Sequence, residues 1–531
     1  MDTLKNDIET NDEKSIPVKA EYRNADTNIG HELMSIKPDS IKSLIHRKPN
    51  LIVPKKGLLD TGTRPDGSDF FQEAMELKVL NERAMSEIQS DHPEFWNELG
   101  GGDPMKVPPF PGLIDTINNL FCSDILSQYP TTEGDLEVRN MVLGYLKQEG
   151  FSTLLSTDNI IFTVSTTHAF NVLCSLVLRP YDAVLFEAPT YGLFTFSPER
   201  VGGITRFFPL KKSEKWAFNA ERLAQTIDQI NAELQQRYKN VIDYIPKVAM
   251  VYQSNPQNPI GRVLSEEDRG MLTDVLTVCH SKGVLFIDDL IYKDLSYEKD
   301  VLPTMGIEGF ESDVITLIGV SKSYGLAGIR AGVMIADEII IRGIRDILFQ
   351  TIDSPSQLQS TILGEVFNNT YERKLKYELY FKPLLAEYRH RFNLLRTGIC
   401  GIDTLDESDD KKIIYEDLKK YYNDSAKEKR WLDGTPYLKL ADGCIPEGGF
   451  FALLDLSDLI GKTYNSTVLR CEEDIMMYFY KTMHIRYLAG AYMAWPSKDQ
   501  CIARISFAVE RKQLIFFIQC LQEAVYKLGD G

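Results

Sequence analysis

The chain has 531 residues, a formal net charge of −17 and a pI near 5.1. This length suits two or more domains, and the acidic balance argues against nucleic-acid binding. Apolar residues make up 43% and charged residues 25%, as in an ordinary soluble globular protein. No run of eighteen apolar residues occurs, so the sequence predicts no membrane span.

The eight cysteines are scattered along the chain. No two lie at metal-ligand spacing, and their density is too low for a disulfide scaffold. We therefore expect reduced thiols, a cytoplasmic location and no metal site. The first residues, MDTLKNDIETNDEK, are acidic and lack an apolar core, which disfavours a secretion signal or a mitochondrial presequence.

Three segments precede the regular part of the pattern. Residues 1–50 are polar with little apolar periodicity and are predicted to be flexible. Residues 51–96 are predicted to be a helical extension, because the stretch 69–98 has helical spacing. Residues 97–114 are interpreted as an arm of a second domain, and this arm contains the glycine- and proline-rich loop LGGGDPMKVPPFP.

Residues 115–345 alternate short apolar runs with helical stretches, which predicts a large domain. Six runs read as strands: NIIFTV (159–164), AVLFEA (183–188), VAMVYQ (248–253), VLFIDD (284–289), VITLIGV (314–320) and AGVMIA (331–336). Strands that alternate with helices indicate βαβ units. The expected fold class is therefore α/β, with a mainly parallel sheet covered by helices on both faces.

Residues 346–531 are predicted to form a smaller α+β domain. One long amphipathic helix is expected over 355–396, with Pro383 as a point where it could kink. The charged stretch 403–434 is interpreted as an inserted surface element that could cap or narrow a site. The runs GGFFALLDL, HIRYLAG and CIARISFAV are expected as strands, followed by a helix from about residue 510.

The stretch VYQSNPQNPIGRVLSEEDRG (251–270) places two Asn-Pro pairs directly after an apolar run. Taken alone, this pattern is an ordinary turn after a strand. A helix then begins at Ser265, with Asp268 at the capping-box position. The strand, the turn, the helix and the next strand form a right-handed βαβ unit. Asn258 and Asp289 are therefore expected at the carboxyl ends of strands, where open parallel sheets bind ligands.

Other strand ends bring more polar groups to the same edge of the sheet. They are Ser165, Thr166 and Thr167 after the first strand, Tyr191 after the second, and Ser321, Lys322 and Arg330 after the fifth. Hydroxyls at a helix start form an anion site, because the N–H groups and the helix dipole favour negative charge. Pyridoxal phosphate needs such a set: an anion site and a cation for its phosphate, an aromatic ring for stacking, a carboxylate for its ring nitrogen and a lysine for its aldehyde.

At these residues the chain resembles the class I/II aminotransferases, the aspartate-aminotransferase-like group of fold type I enzymes that depend on pyridoxal 5'-phosphate. NPQNPIG is similar to the family pattern N-P-x-N-P-T-G, and SKSYGLAGIRAG to S-K-x-x-G-x-x-G-x-R-x-G. The resemblance covers about residues 97–525. It implies a large cofactor-binding domain, a smaller C-terminal domain and a homodimer.

The resemblance implies a catalytic role for several residues. Lys322 would hold the cofactor as a Schiff base and would move the proton at the substrate Cα. Asp289 would pair with the ring nitrogen, with the adjacent Asp288 as the alternative. Asn258 and Tyr292 would donate hydrogen bonds to the phenolic oxygen of the cofactor.

The resemblance also implies binding roles. The further cofactor-binding residues are Ser165, Thr166, Thr167, Ser321 and Arg330, with Tyr191 stacking on the ring and Tyr129 reaching the phosphate of a partner subunit. On the substrate side it implies Gly101, Gly102, Asn258 and Arg504. Arg504 lies in ARISFA, which is similar to the family pattern R-x-S-F, and would clamp the substrate carboxylate.

The sequence departs from the family pattern at several positions. Gly319 stands where a hydroxyl residue usually precedes the lysine by three positions, Ser165 replaces a glycine, and Ile260 replaces a threonine. His168 lies beside the phosphate-binding residues, and we interpret it as structural.

The first functional hypothesis is an aminotransferase that moves an amino group from an L-amino acid to a 2-oxo acid. The same scaffold also supports amino-acid β-decarboxylation, C–C or C–S lysis, and oxidation, because a fold alone does not choose the reaction. A non-catalytic binding protein is the third hypothesis. The lysine, asparagine, aspartate and two arginines, all present, argue against it.

Overall fold

The computed structural model describes residues 97–529 except 106, 240–242, 369, 406–410, 422–424 and 498. The predictions made for residues 1–50 and 51–96 lie outside these described residues. Within the described ranges, no helix combines the length and the apolar character needed to cross a membrane.

The strands are numbered in chain order. They are β1 (Asn97–Glu98), β2 (Ile160–Thr163), β3 (Ala183–Ala188), β4 (Ile204–Pro209), β5 (Val248–Ser254), β6 (Leu285–Asp289), β7 (Val314–Gly319), β8 (Gly332–Ile335), β9 (Lys439–Leu440), β10 (Phe451–Asp455), β11 (Thr463–Tyr464), β12 (Thr467–Val468), β13 (Ile485–Arg486), β14 (Leu488–Ala489) and β15 (Ile502–Ser506).

The α-helices are numbered in the same way. They are α1 (Leu113–Phe121), α2 (Leu136–Gln148), α3 (Thr166–Val177), α4 (Ser197–Arg200), α5 (Ala220–Tyr238), α6 (Arg269–Lys282), α7 (Glu338–Thr351), α8 (Gln357–Phe367), α9 (Tyr371–Cys400), α10 (Lys411–Tyr421), α11 (Ser425–Asp433), α12 (Glu472–Met483) and α13 (Arg511–Tyr526).

The large sheet has seven strands in the order β2-β8-β7-β6-β5-β3-β4. Neighbours from β7 to β4 are parallel, and β8 is antiparallel to both of its neighbours. All six predicted strands are confirmed to within one or two residues. The strand β4 was not predicted. The α/β class and the mainly parallel sheet are therefore confirmed.

Apolar layers cover both faces of the large sheet. On one face Phe170 of α3 packs with Phe186 of β3 and Tyr252 of β5. On the other face the buried side chains include Leu223 of α5 and Leu272 of α6. Because the strands are buried on both faces, polar side chains from the sheet reach a solvent-accessible cavity mainly where the strands end.

The βαβ unit predicted around the double Asn-Pro turn is present. The Ser265 N–H donates to Asp268 Oδ2 at 3.0 Å at the start of α6. The helix ends at Gly283, whose φ of 60° is a left-handed conformation that glycine adopts without strain. Strands β5 and β6 are therefore parallel neighbours and end at the same edge of the sheet.

The C-terminal part contains an antiparallel sheet in the order β14-β15-β10-β9. The single helix predicted over 355–396 is wrong, because α8 ends at Phe367 and α9 begins at Tyr371. The Thr370 hydroxyl accepts a hydrogen bond from the Arg373 N–H and caps the new helix. Helix α9 then continues through Pro383.

The described part of 403–434 lies at the surface, where Ile413 is 47% exposed, but one of its faces packs against the rest of the fold. Trp431 of α11 is fully buried, on a helix that contacts α9. Asp417 of α10 accepts hydrogen bonds from His390 at 2.8 Å and from Arg511 at 2.6 Å. Burial alone would raise the pKa of Asp417, but hydrogen bonds from Lys420 and these two side chains lower it to about 2. The insertion is thus packed and ion-paired against α9 and α13.

Candidate active site

A cavity of about 820 Å³ lies at the carboxyl edge of the large sheet. Residues from the ends of β2, β3, β5, β6 and β7 line it, as expected for an open parallel sheet. Ten residues predicted from the sequence lie in its wall: Ser165, Thr166, Thr167, Tyr191, Asn258, Asp289, Tyr292, Ser321, Lys322 and Arg330. No described residue of the 403–434 insertion lines this cavity, so these residues do not cap it.

Lys322 follows β7 and points towards the glycine loop of the N-terminal arm. Its Nζ donates to the Gly102 carbonyl oxygen at 2.5 Å. Burial lowers the pKa of Lys322 to about 8, while the Asp103 carboxylate opposes the shift and Arg504 adds to it. Near neutral pH, a larger fraction of Lys322 is therefore in the neutral amine form, which can act as a base, than for an exposed lysine.

The two adjacent aspartates of β6 point to opposite faces of the sheet. Asp289 lines the cavity and accepts a hydrogen bond from the Tyr252 hydroxyl at 2.8 Å. Asp288 faces the other way and accepts two hydrogen bonds from Thr304. Of the two carboxylates, only Asp289 is thus placed for a ligand in the cavity. Burial raises the pKa of Asp289 to about 7, although its bond from Tyr252 opposes the shift.

The start of α3 forms the anion-binding end of the cavity. Ser165 is the N-cap residue, and its Oγ accepts a hydrogen bond from the His168 N–H at 3.1 Å. Thr166 and Thr167 occupy the first turn and line the cavity, and Arg330 lines the same cavity. The N–H groups of this turn, the two hydroxyls and the guanidinium can bind a phosphate.

Two glycines allow strands to pack closely against this anion site. A Cβ at Gly332 would lie 2.8 Å from the Ser165 carbonyl carbon. A Cβ at Gly319 would lie 3.0 Å from Ile291 Cδ1 and 3.1 Å from the Ala331 carbonyl oxygen. The usual hydroxyl residue would therefore be crowded at position 319, which gives a packing reason for the departure from the family pattern.

Aromatic rings close the sides of the cavity. Tyr191 packs edge-on against Phe194 with ring centroids 5.3 Å apart. Tyr292 packs edge-on against Phe450 and Phe451 at 5.5 and 6.0 Å. Burial raises the pKa of both tyrosines, so their hydroxyls stay protonated and can donate hydrogen bonds.

Arg504 of β15 links the second sheet to the cavity. Its side chain is buried, and its Nη1 donates to Asn258 Oδ1 at 3.0 Å. Its Nη2 donates to the Gly100 carbonyl oxygen at 2.8 Å, and its guanidinium carbon lies 3.9 Å from the ring centroid of Phe451. Arg504 does not line the cavity, but it donates a hydrogen bond to Asn258, and Asn258 does line the cavity.

The other predicted residues lie at different distances from the cavity. The Gly102 carbonyl oxygen accepts a hydrogen bond from Lys322, which lines the cavity, and Gly101 precedes Gly102 in the arm. The arm is held in place because the Leu99 carbonyl oxygen accepts a hydrogen bond from Ser506. Tyr129 does not line the cavity of its own chain and is 87% exposed.

Sequence reasoning missed three residues of this site. Tyr252 supports Asp289, and Asp103 lines the cavity near Lys322. Glu187 is buried behind the Asn-Pro turn and accepts hydrogen bonds from Ser254. Alternate residues of a strand point to the same face, so Tyr252 and Ser254 share one face of β5. This alternation could have predicted that Tyr252 lies near the site.

The groups around the cavity fit pyridoxal phosphate. An anion site at the α3 start lies in the same wall as a buried carboxylate, a lysine amine and a tyrosine ring. Asp289 is 3% exposed, so a protonated ring nitrogen would be a favourable partner for its charge. The four contacts that this cofactor requires are thus present around one cavity.

The fold is that of the fold type I group, and the groups around the cavity match those that pyridoxal phosphate requires. Residues 106–415 match the family Aminotransferase class I and II, and the chain belongs to this family, whose members use pyridoxal 5'-phosphate.

Named relatives and solved structures agree with this family. The chain is 27% identical over 219 residues to a histidinol-phosphate aminotransferase of Ruminiclostridium cellulolyticum, which is 41% of this chain and 52% of the relative. It is 23% identical to an aspartate aminotransferase of Musicola paradisiaca, over 46% of this chain and 56% of the relative. The chain thus spans about half the length of the curated relatives it matches.

The fold is similar to that of solved aspartate aminotransferases. The Rhizobium meliloti enzyme has a TM-score of 0.65 at 17% identity and covers 86% of this chain and 96% of its own. The Thermus thermophilus enzyme with maleate has a TM-score of 0.63 at 17% identity and covers 84% and 95%. These likenesses confirm the fold.

Proposed function

We propose that this protein is an aminotransferase that moves an amino group from an L-amino acid to a 2-oxo acid with pyridoxal 5'-phosphate. The observation that carries the proposal is that Lys322, Asp289 and Asn258 line one cavity and that Arg504 donates a hydrogen bond to Asn258. A base, a ring-nitrogen partner and a carboxylate clamp are the three functions that amino transfer needs from the protein.

Each protein residue has a separate role in the proposed reaction. When bound, the cofactor supplies an electron sink for the charge that develops at the substrate Cα. Arg504 binds the substrate carboxylate and orients the Cα–H bond towards Lys322. The neutral amine of Lys322 would take this proton from the substrate Cα and would hold it as an ammonium group until it is passed on. Asp289 would keep the ring nitrogen protonated, and Asn258 and Tyr292 would donate hydrogen bonds to the phenolic oxygen.

Other reactions of the same carbanion, namely β-decarboxylation, lysis and oxidation, use the same first proton transfer. The family match and the relatives' names support amino transfer over these alternatives. The amino donor and acceptor stay open, because the roles proposed here concern the carboxylate end of the substrate and none concerns its side chain.

The test is the visible absorption spectrum of the purified protein, titrated with L-amino acids in the absence of an acceptor. We expect a bound chromophore that one class of amino acid converts stoichiometrically to the aminated cofactor. Product that accumulates over many turnovers without an acceptor would contradict amino transfer and would indicate lysis, decarboxylation or oxidation. A protein that takes up no cofactor would contradict the whole proposal.

We also propose a cytoplasmic homodimer. The eight cysteines are all free, which suits a reducing compartment. Tyr129 and the nearby Phe121 are 87% and 65% exposed, and Ile125 and Leu126 are exposed beside them. An exposed apolar segment next to a tyrosine with no place in its own cavity supports an interface at which Tyr129 serves the partner's cofactor.

For the dimer we expect light scattering to give twice the chain mass of 60.4 kDa. Phe121→Glu should shift the protein towards monomer and weaken cofactor binding, because it buries a charge in the proposed interface. Ile339→Glu, at a 78% exposed position on α7, serves as the matched control. A fully active monomer would rule out the shared site.

Arg504→Lys is expected to raise the KM for the amino acid by roughly tenfold or more, because lysine lacks the planar fork that binds a carboxylate bidentately. The turnover number at saturation should change less than KM does. The measurement is steady-state kinetics with the donor identified by titration. An unchanged KM would remove Arg504 from the clamp.

A further inference from the structure

Glu187 is a buried carboxyl at the end of β3 that makes no direct contact with the proposed catalytic groups. It is 0% exposed. Its Oε1 accepts hydrogen bonds from the Ser254 N–H at 2.9 Å and from the Ser254 hydroxyl at 2.8 Å. Its Oε2 accepts one from Gln257 Nε2 at 3.2 Å. All three contacts bind Glu187 to the start of the Asn-Pro turn.

These contacts continue into the carboxylate clamp. The Ser254 hydroxyl accepts a hydrogen bond from the Asn258 N–H at 3.1 Å. The Asn258 side chain in turn accepts from Arg504 at 3.0 Å. Three consecutive hydrogen bonds therefore lead from Glu187 to the guanidinium, and each is formed by a buried residue.

We propose that Glu187 is a positioning residue for the substrate carboxylate, which it aligns through Ser254, Asn258 and Arg504. The inference rests on the proposed function, because the carboxylate clamp is a part of that function.

A carboxyl group suits this position because Ser254 and Gln257 both donate hydrogen bonds to it. Both carboxyl oxygens accept here, because Oε1 takes two hydrogen bonds and Oε2 takes one. An amide would direct its own donors towards Gln257 Nε2, which also donates to the Trp216 carbonyl oxygen at 2.9 Å. Burial raises the pKa of Glu187 to about 8, and the bonds from Ser254 and Gln257 oppose this shift.

The rear of the turn is held independently of Glu187. The Asn255 side chain donates to the Leu264 carbonyl oxygen and accepts from the Leu264 N–H, both at 2.9 Å. The Gly261 carbonyl oxygen accepts hydrogen bonds from the N–H groups of Glu447 and Gly448. Removing the Glu187 carboxyl should therefore loosen the front of the turn, where Asn258 lies, and leave its rear in place.

The experiment compares two probes that differ in their carboxylate. 2-Aminoisobutyrate has an α-carboxylate and no hydrogen on Cα, and tert-butylamine has a methyl group in place of that carboxylate. Their affinities for the cofactor-loaded protein are measured from the absorption change of the bound chromophore. The variants are Glu187→Ala and Glu187→Gln.

We expect Glu187→Ala to weaken 2-aminoisobutyrate binding by roughly tenfold or more, since several buried donors lose their acceptor. Binding of tert-butylamine should change by about twofold or less, and Glu187→Gln should recover most of the loss because it keeps one acceptor oxygen for Ser254. Asp182→Asn is the matched control. Asp182 is a buried carboxyl before the other end of β3 that accepts from the Lys247 N–H at 3.0 Å.

Three outcomes would overturn the inference. They are equal weakening of both probes, unchanged binding of both probes, and the same carboxylate-specific loss in Asp182→Asn. A wild-type protein that shows no chromophore would instead overturn the proposed function, and the inference with it. The two failures are thus distinguished by the wild-type spectrum alone.

Discussion

Replacing Lys322 with alanine is expected to lower the turnover number by about a thousandfold or more, because a positioned general base contributes roughly 10²–10⁴ in rate. The amine also forms the covalent link to the cofactor in the proposed function, so its loss removes two contributions. Alanine leaves space around the Gly102 carbonyl oxygen, to which Lys322 Nζ now donates, and should not disturb the strand β7.

The measurement is a single-turnover experiment in which the absorption of the cofactor is followed after an amino acid is added. The Lys322→Ala protein should still take up cofactor through the anion site and Asp289, so binding and chemistry are separated. Lys282→Ala is the control, since Lys282 pairs with Asp228 on the surface at 2.6 Å. More than about a tenth of wild-type turnover in Lys322→Ala would contradict the role, because a general base alone contributes at least about a hundredfold.

The strands of the large sheet could be predicted because they are apolar on both faces and bounded by turn residues. The strand β4 was missed although five of its six residues are buried. Its sequence ITRFFP places Arg206 inside the run and a proline at its end, and both are unusual in a strand buried in a parallel sheet. Local pattern did not reveal that β4 is an edge strand.

The C-terminal part was predicted less well because its packing cannot be predicted from local composition. The charged stretch 403–434 reads as solvated, yet the ion pairs of Asp417 and the burial of Trp431 fix it to α9 and α13. The break between α8 and α9 did have a local signal, since Thr370 is a favourable N-cap residue. The continuing apolar periodicity outweighed that signal in the prediction.

In the candidate site, too, residues with a local sequence signal were predicted, and a residue that depends on tertiary contacts was missed. Ten residues at strand ends were predicted and line one cavity, and four of them belong to the two motifs. Glu187 was not predicted, because a glutamate inside AVLFEA has no partner that is visible in the sequence. Its bonds to Ser254 and Gln257 cross from β3 to β5, and this adjacency comes from the sheet order.

The choice between Asp288 and Asp289 could not be made from the sequence, and the pleat of β6 decides their orientation. We expect Asp289→Asn to lower the turnover number by roughly a hundredfold or more, because it removes the charge that would keep the cofactor ring protonated. Asparagine keeps an oxygen that can accept the Tyr252 hydrogen bond. The loss of turnover in Asp289→Asn should therefore come mainly from the missing charge and only weakly from altered packing.

Asp288→Asn is the matched control, because it makes the same chemical change one residue away. Its remaining oxygen can still accept from Thr304, so turnover should stay within about twofold of wild type. Both variants are compared by turnover number and by the chromophore spectrum, which responds to protonation of the ring. Equal losses in the two variants would show that the effect comes from disturbing β6, whereas a loss in Asp288→Asn alone would assign the ring-nitrogen contact to Asp288.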